Sequence, residues 1–298
     1  MKSYTMVVLV KQVPDTKNIS GEAMKEDGTV NRAALPAIFN PEDLNALEMA
    51  LQVKETYGGT VNVISMGPPS AVEVLKDSLY RGADSVFLVS DRKLAGSDTL
   101  ATSFALKQAI ISKIPNFDIV FCGRQAIDGD TAQVGPQTAE KLGIAQVTYV
   151  NSIEKLEKNS ITVKKAIEDG SEIVRAPLPA LITVMDTANE PRPYIAKRLL
   201  KYRRAISNFG LHQEVKKYPR FKTVEELKEF LIQKDVFIPI WSAEDIGAEA
   251  DQIGFAGSPT MVKKIESISL TGKGFKKIEA TDEGIKEFVA ELIEDHTW

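Results

Sequence analysis

The sequence predicts an α/β protein: a mostly parallel sheet with helices on both faces, added antiparallel hairpins and an extended C-terminal arm. Three observations carry this. The apolar runs of the first half, such as "TMVVLV" and "SVFLVS", show no polar alternation, as in strands buried on both faces. Each is followed by a stretch of helical character, and that alternation implies a parallel sheet. After about Tyr149 the runs become short and alternating, separated by polar turns, which reads as hairpins.

Thr5–Val10 is the first strand, and its apolar run is too short for a signal-peptide core. A long loop leads to "NPEDLNALEMALQVKETYGG". There Asn40 is placed to cap a helix, Pro41 suits its first position, and Glu42 and Asp43 complement its positive end. Leu44, Leu47 and Leu51 share a face, and Gly58–Gly59 stop the helix. Strand "TVNVISMG", helix "SAVEVLKDSLYRGA", strand "SVFLVS", helix "DTLATSFALKQAIISK" and strand "FDIVFCG" follow, then the helix opened by "CGRQAIDGDTAQVGPQTAEKLG". Beyond the hairpins come a basic segment, "AKRLLKYRRA", and a polar insertion from Phe209 to Asp235 with one short amphipathic helix. The tail from Ile240 has many turn signals and little periodicity, and it ends in the helix "TDEGIKEFVAELIEDHTW". The division is 1–208 as the ligand-binding unit and 209–298 as insertion and arm.

Composition narrows the chemistry. A net charge of −4 and a pI near 5.5 argue against a nucleic-acid surface. One cysteine, Cys122, excludes an internal disulfide and fits a reducing cytoplasm. No apolar run approaches membrane-spanning length. With two histidines, His212 and His296, zinc sites, Ser–His–Asp triads and Cys–His pairs have almost nothing to draw on, so chemistry is expected from a bound cofactor. Neither G-x-G-x-x-G nor a Walker A pattern occurs.

In an open parallel sheet ligands bind beyond the carboxyl ends of the strands. The loop after Cys122 suits an adenosine-containing ligand: glycines Gly129 and Gly135 for close approach, amides near Gln133–Gln137 for phosphate, and Asp128 or Asp130 for ribose hydroxyls. The alternative is an Asp-rich turn that merely caps the helix through Asp130 or Thr131. "AGSDTLATS" is a second polar turn into a helix, a ligand wall or simply a cap through Ser97 or Asp98. Cys122 reads as a core residue, and Trp241 as an intrachain packing residue of the arm. The run Lys197–Arg204 is a solvated face or a dock for an acidic partner.

Several segments resemble the β subunit of electron-transfer flavoproteins. The strongest is "VKKAIEDGSEIVRAPLPALIT". "VLVKQVPDT", "NPEDLNALEMAL", "ISMGPP", the loop after Cys122, "NEPR" and "WSAEDIG…GFAGSPT" follow in the family's order. The resemblance implies a Rossmann-like domain in an obligate heterodimer with an α subunit, carrying an adenine nucleotide. The implied contacts are Leu9, Asn40, Pro41, Glu42, Asp43, Met66, Gly123, Arg124, Gln125, Ala126, Asp128, Thr131, Gln133, Val134, Gly135, Gln137 and Thr138. In one branch of the family the nucleotide is structural AMP. In the electron-bifurcating branch it is FAD, which takes a hydride from NADH and divides the electrons. One goes to ferredoxin or flavodoxin, the other through the α-subunit FAD to an acyl-CoA or other flavin dehydrogenase. "AGSDTLATS" resembles a segment kept by the bifurcating branch, which implies NAD(H) near Ser90, Asp98, Thr99 and Thr102. After "NEPR" the chain departs from the family's partner-recognition loop, reading "PYIAKRLLKYRR". A stand-alone adenine-nucleotide-binding module is the reading from another class.

Overall fold

The computed structural model describes residues 3–15, 35–260 and 277–294. The strand β1 (Tyr4–Val10) is the centre of the architecture. A short antiparallel pair, β2 (Gln12–Pro14) and β3 (Ala37–Phe39), leads into α1 (Pro41–Tyr57). Then come β4 (Gly59–Met66), α2 (Val72–Arg81), β5 (Ser85–Val89), α3 (Thr99–Lys113), β6 (Ile119–Gly123) and α4 (Val134–Leu142). The second half supplies β7 (Ala145–Glu157), β8 (Ser160–Ile167), β9 (Gly170–Pro177) and β10 (Ala180–Val184), followed by α5 (Ala196–Tyr202). The insertion holds α6 (Leu211–Glu214) and α7 (Val224–Gln233), and it is flanked by β11 (Ile206–Ser207) and β12 (Phe237–Ile238). β13 (Ile240–Trp241) and α8 (Asp282–Glu294) complete the elements.

The main sheet runs β13-β5-β4-β1-β6-β10-β7-β8-β9. Pairings from β13 through to β10–β7 are parallel, and β7–β8 and β8–β9 are antiparallel. Alternate residues of β1 enter two cores. Met6, Val8 and Val10 pack with α1 and α2, whereas Val7 and Leu9 pack with α3 and α4. Period-two alternation thus feeds both helical layers, which is why "MVVLV" has no polar position. No helix of the described residues is long and apolar enough to cross a membrane.

The structure refines two expectations. The hairpins comprise β7 to β9, but the last run, "ALITV", is a fully buried parallel strand inserted between β6 and β7. Its lack of alternation follows from burial on both faces. The basic segment is divided: Lys197, Arg203 and Arg204 are exposed, as on a solvated face, and two other members are engaged within the chain. Arg198 donates to the carbonyls of Leu79 (2.6 Å) and Ala83, and Lys201 pairs with Asp235 at 2.7 Å. Trp241 stacks on Phe87, ring centroids 4.3 Å apart, so β13 is sealed against β5 as expected. After it, Ala243, Ile246 and Ile253 enter the second core. The insertion builds a small core of its own from Leu211, Leu227 and Leu231.

Gly135 is a packing residue. A Cβ there would lie 2.8 Å from Cys122 Sγ and 3.0 Å from Thr183 Cγ2, so α4 can close on β6 and β10 only over a bare Cα. Gly135→Ala is expected to destabilise the chain by about 1–3 kcal/mol in urea unfolding, the usual cost of overpacking. Adding Cys122→Ala should recover part of that loss; additive costs in the double variant would show that the sulfur is not the obstacle.

Candidate functional site

The strand order reverses beside β1: the chain moves outward through β4 and β5, then returns to place β6 on the other flank. Such a reversal opens a crevice beyond the carboxyl ends of the two strands. Here it lies between Leu9–Lys11 and Gly123–Arg124, and the first turn of α1 is wedged into it.

Three side chains of that turn organise the crevice. Asp43 accepts from the backbone N–H of Lys11 and from that of Gly123, both at 2.9 Å, tying the ends of β1 and β6 together. Glu42 accepts from Gln125 N–H at 3.0 Å and from Arg124 Nη2 at 2.7 Å. Asn40, expected as a helix cap, makes no capping bond. Its Nδ2 donates to Gln125 O (2.8 Å) and its Oδ1 accepts from Ile127 N–H (3.1 Å). The carboxamide can satisfy a donor and an acceptor of the facing loop at once, which a helix terminus offering only N–H groups would not allow. Gly123 is required for this approach, since a Cβ would sit 2.6 Å from Asp43 Oδ1. "NPED" is therefore the scaffold of the loop. Pro41 starts α1, as its fixed φ suits.

The loop's acidity is compensated on site. Lys11 Nζ reaches both oxygens of Asp128 at 2.7 Å, and Gln125 Nε2 donates to Asp130 Oδ1 at 3.1 Å. Ala126 O accepts from Gly129 and Asp130 N–H, closing a turn. Asp130 and Ala132 then adopt left-handed φ of 50° and 53°. Turns of this kind gather successive N–H groups into anion-binding concavities. α4 follows directly, and its N-cap position, Gln133, supplies no side-chain cap. Neither Asp130 nor Thr131 caps the helix, contrary to that reading of the sequence; Thr131 is exposed. The first amides of α4 and the positive end of its dipole thus complete an anion-compatible corner.

The second polar turn borders the same corner. Thr99 Oγ1 donates to Gln133 Oε1 (3.0 Å) and accepts from Gln137 Nε2 (3.4 Å). Asp98 caps α3 through Leu100 and Ala101 N–H, and its other oxygen accepts from the N–H and hydroxyl of Thr260 in the tail. Thr102 is half-buried on α3, and Ser90 is held through its N–H to Trp241 O at 3.0 Å. Leu9 is buried and Met66 half-buried against the second core. Val134 is half-buried there too. Thr138 is buried and donates to Val134 O, within its own helix.

Lys11 and Tyr149 belong to this edge although neither stands among the implied contacts. Lys11 pairs with a residue 117 positions away, a relation that no local pattern encodes. Arg124 is held by Glu42, which raises its pKa, and lies 5.9 Å from the centroid of the Tyr149 ring. Cys122 is buried, and that burial pushes its thiol far above the ordinary range, as befits a core residue.

Comparison with known proteins gives a consistent result. Residues 27–207 match the model of the electron transfer flavoprotein domain. The chain belongs to the electron transfer flavoprotein β-subunit family. The electron transfer flavoprotein subunit beta of Clostridium acetobutylicum is 41% identical over 98% of each chain. Protein FixA of Rhizobium meliloti is 39% identical over 97% of this chain and 89% of its own. The caffeyl-CoA reductase-Etf complex subunit CarD of Acetobacterium woodii is 38% identical over 98% of each. Members of the family are flavin- or nucleotide-binding proteins and work with α subunits in dehydrogenase complexes.

Burial raises the Asp43 pKa to about 7, while the Gly123 amide, Asn40 and the Lys11 amide and charge pull it down. Below that pH the folded chain holds a proton that an unfolded aspartate, at 3.8, does not bind until much lower pH. The group therefore adds stability as pH falls from about 7 towards 4 and loses it as pH rises through 7. Between pH 5 and 7 the wild type should lose about 1.4 kcal/mol per pH unit more than Asp43→Asn in urea unfolding. Parallel pH profiles would show that Asp43 stays ionised.

Proposed function

We propose that this chain is the NADH-oxidising, FAD-binding subunit of an electron-bifurcating flavoprotein. The observation that supports it most is the shared corner of two polar turns. The uncapped start of α4 and the left-handed turn before it suit a pyrophosphate, and Thr99 joins that corner to "AGSDTLATS" through Gln133 and Gln137. AMP would need the first turn alone; a flavin nucleotide with a nicotinamide donor beside it uses both.

Each group then has a part that its surroundings allow. Amides around Ala132–Gly135 receive phosphate oxygens, and Lys11, already neutralising Asp128, keeps the loop's charge from repelling them. Gln133, Gln137 and Thr99 hold polar hydrogens and lone pairs for sugar hydroxyls. Arg124 keeps a cation at the carboxyl edge, fixed by Glu42, where it favours negative charge on a neighbouring ring. FAD supplies the hydride acceptance and one-electron donation that no side chain here can provide.

The electrons go to ferredoxin or flavodoxin and, through the FAD of an α subunit, to an acyl-CoA or other flavin dehydrogenase in the cytoplasm. The unit 1–208 carries the nucleotide, and 209–298 packs on the α subunit. Support for the latter comes from α8, whose Ile285, Phe288 and Ile293 are exposed among acidic residues. The relative named for a caffeyl-CoA reductase-Etf complex is in keeping with a reductase as partner.

Co-expression with the α subunit, followed by nucleotide quantification after denaturation, tests the reading. Two FAD per heterodimer, with flavin bleaching on addition of NADH, are expected. One FAD and one AMP, with no response to NADH, would replace the proposal with the structural-AMP member of the family. A stable nucleotide-bound monomer would favour the stand-alone module instead.

A further inference from the structure

Tyr149 has a left-handed backbone, φ 60°, and the residue is 40% exposed. For a bulky aromatic residue this conformation is a genuine outlier, and such outliers persist where the surroundings over-determine them. The cause is topological. β7 runs parallel to β10 as far as Val150 and antiparallel to β8 from there on. At the changeover its register against β10 slips between Ile182 and Val184, leaving one extra residue on β7. The buried Thr183 hydroxyl accepts the Tyr149 N–H at 3.1 Å, taking over the ladder bond that the bulge breaks.

The bulge explains the left-handed backbone but not the tyrosine. Glycine or asparagine would meet the same φ at lower cost. What tyrosine adds is a ring re-aimed at the carboxyl edge of the sheet, a common use of bulges near functional sites. The ring faces the Arg124 guanidinium at 5.9 Å, and Arg124 is itself fixed by the buried Glu42. The register Val184↔Gly123 between β10 and β6, and the bond from Arg124 N–H to Val184 O, put this pair level with the mouth of the crevice.

We infer that Tyr149, backed by Arg124, is a stacking surface for a planar heteroaromatic ring, a nucleobase or an isoalloxazine. The inference rests on the nucleotide-binding reading above. The ring comes either from the nucleotide held by this chain or from the flavin of the α subunit, and the two sources are separable by experiment. An aromatic face with a cation behind it suits both, because each offers a broad π surface.

The test uses the intact αβ complex with Tyr149→Asn, which tolerates the left-handed backbone and removes the ring, and Tyr149→Phe, which keeps it. Bound nucleotides are quantified after gel filtration, and flavin emission is recorded, since a phenol in contact with a flavin quenches its fluorescence. If the ring belongs to this chain's own nucleotide, Tyr149→Asn weakens its binding about tenfold, the scale of one base–aromatic stack, and Tyr149→Phe does not. If it belongs to the α-subunit flavin, emission rises several-fold in Tyr149→Asn with this chain's nucleotide retained. In either case the nucleotide-stripped Tyr149→Asn complex melts no lower than the wild type, because the backbone strain is relieved. Unchanged occupancy and emission in Tyr149→Asn, beside a fully loaded wild type, would overturn the inference. So would an equal loss of stability in stripped and loaded complexes, the signature of a packing residue. A wild-type complex that carries no nucleotide in this chain would instead overturn the reading on which the inference rests.

Discussion

One buried carboxylate sets the geometry of this protein. Asp43 bonds to the N–H groups at the ends of β1 and β6, the neighbouring strands where the order of the sheet reverses. A backbone donor buried at such an edge, without a partner, costs about 1–3 kcal/mol. The first turn of α1 removes two such costs at once and thereby fixes where the loop after β6 begins. Asn40 and Glu42, one turn of the same helix, then determine its path as far as Ile127. The crevice is a consequence of a helix start driven between two strand ends.

The acidity of the loop acquires a different meaning in that frame. Asp128 is neutralised by Lys11, Asp130 takes an amide from Gln125, and Glu42 is paired with Arg124. The negative charges shape the turn, and what they leave facing the corner is the start of α4 and a pair of left-handed residues. Under the proposed function a phosphate there would meet amides, with the carboxylates already engaged elsewhere. The left-handed Tyr149 at the other end of the same edge belongs to the same economy of backbone. In both places the chain holds uncommon φ values beside the crevice, supported by side-chain bonds from neighbouring strands and helices.

Much of the fold was legible because it is written in local periodicity. The unalternating runs became strands buried on two faces, the polar turns separated them, and Asp98 caps α3 as its position before "TLATS" indicates. "ALITV" escaped because it follows two hairpins in sequence yet inserts between strands placed far earlier, and insertion order leaves no local trace. The site was legible to a lesser depth. Its segments could be named, but Asn40 illustrates the limit: a good cap by residue type, it serves a loop 85 positions away. Gly135 likewise looked like room for a ligand and is room for a cysteine.

By itself the sequence determined the mostly parallel sheet with helices on both faces, the polar loops between its elements and the scarcity of histidine and cysteine for zinc or triad chemistry. Hydrophobic burial and capping act over a few residues, so composition and spacing suffice for them. Only the tertiary structure decided which partner each polar group takes. Lys11 with Asp128, Asp43 with two strand ends, and Tyr149 above Arg124 are relations between elements that meet in space. A buried or half-buried polar group must find a partner wherever the fold brings one within about 3 Å, and that proximity exists only once the sheet has closed.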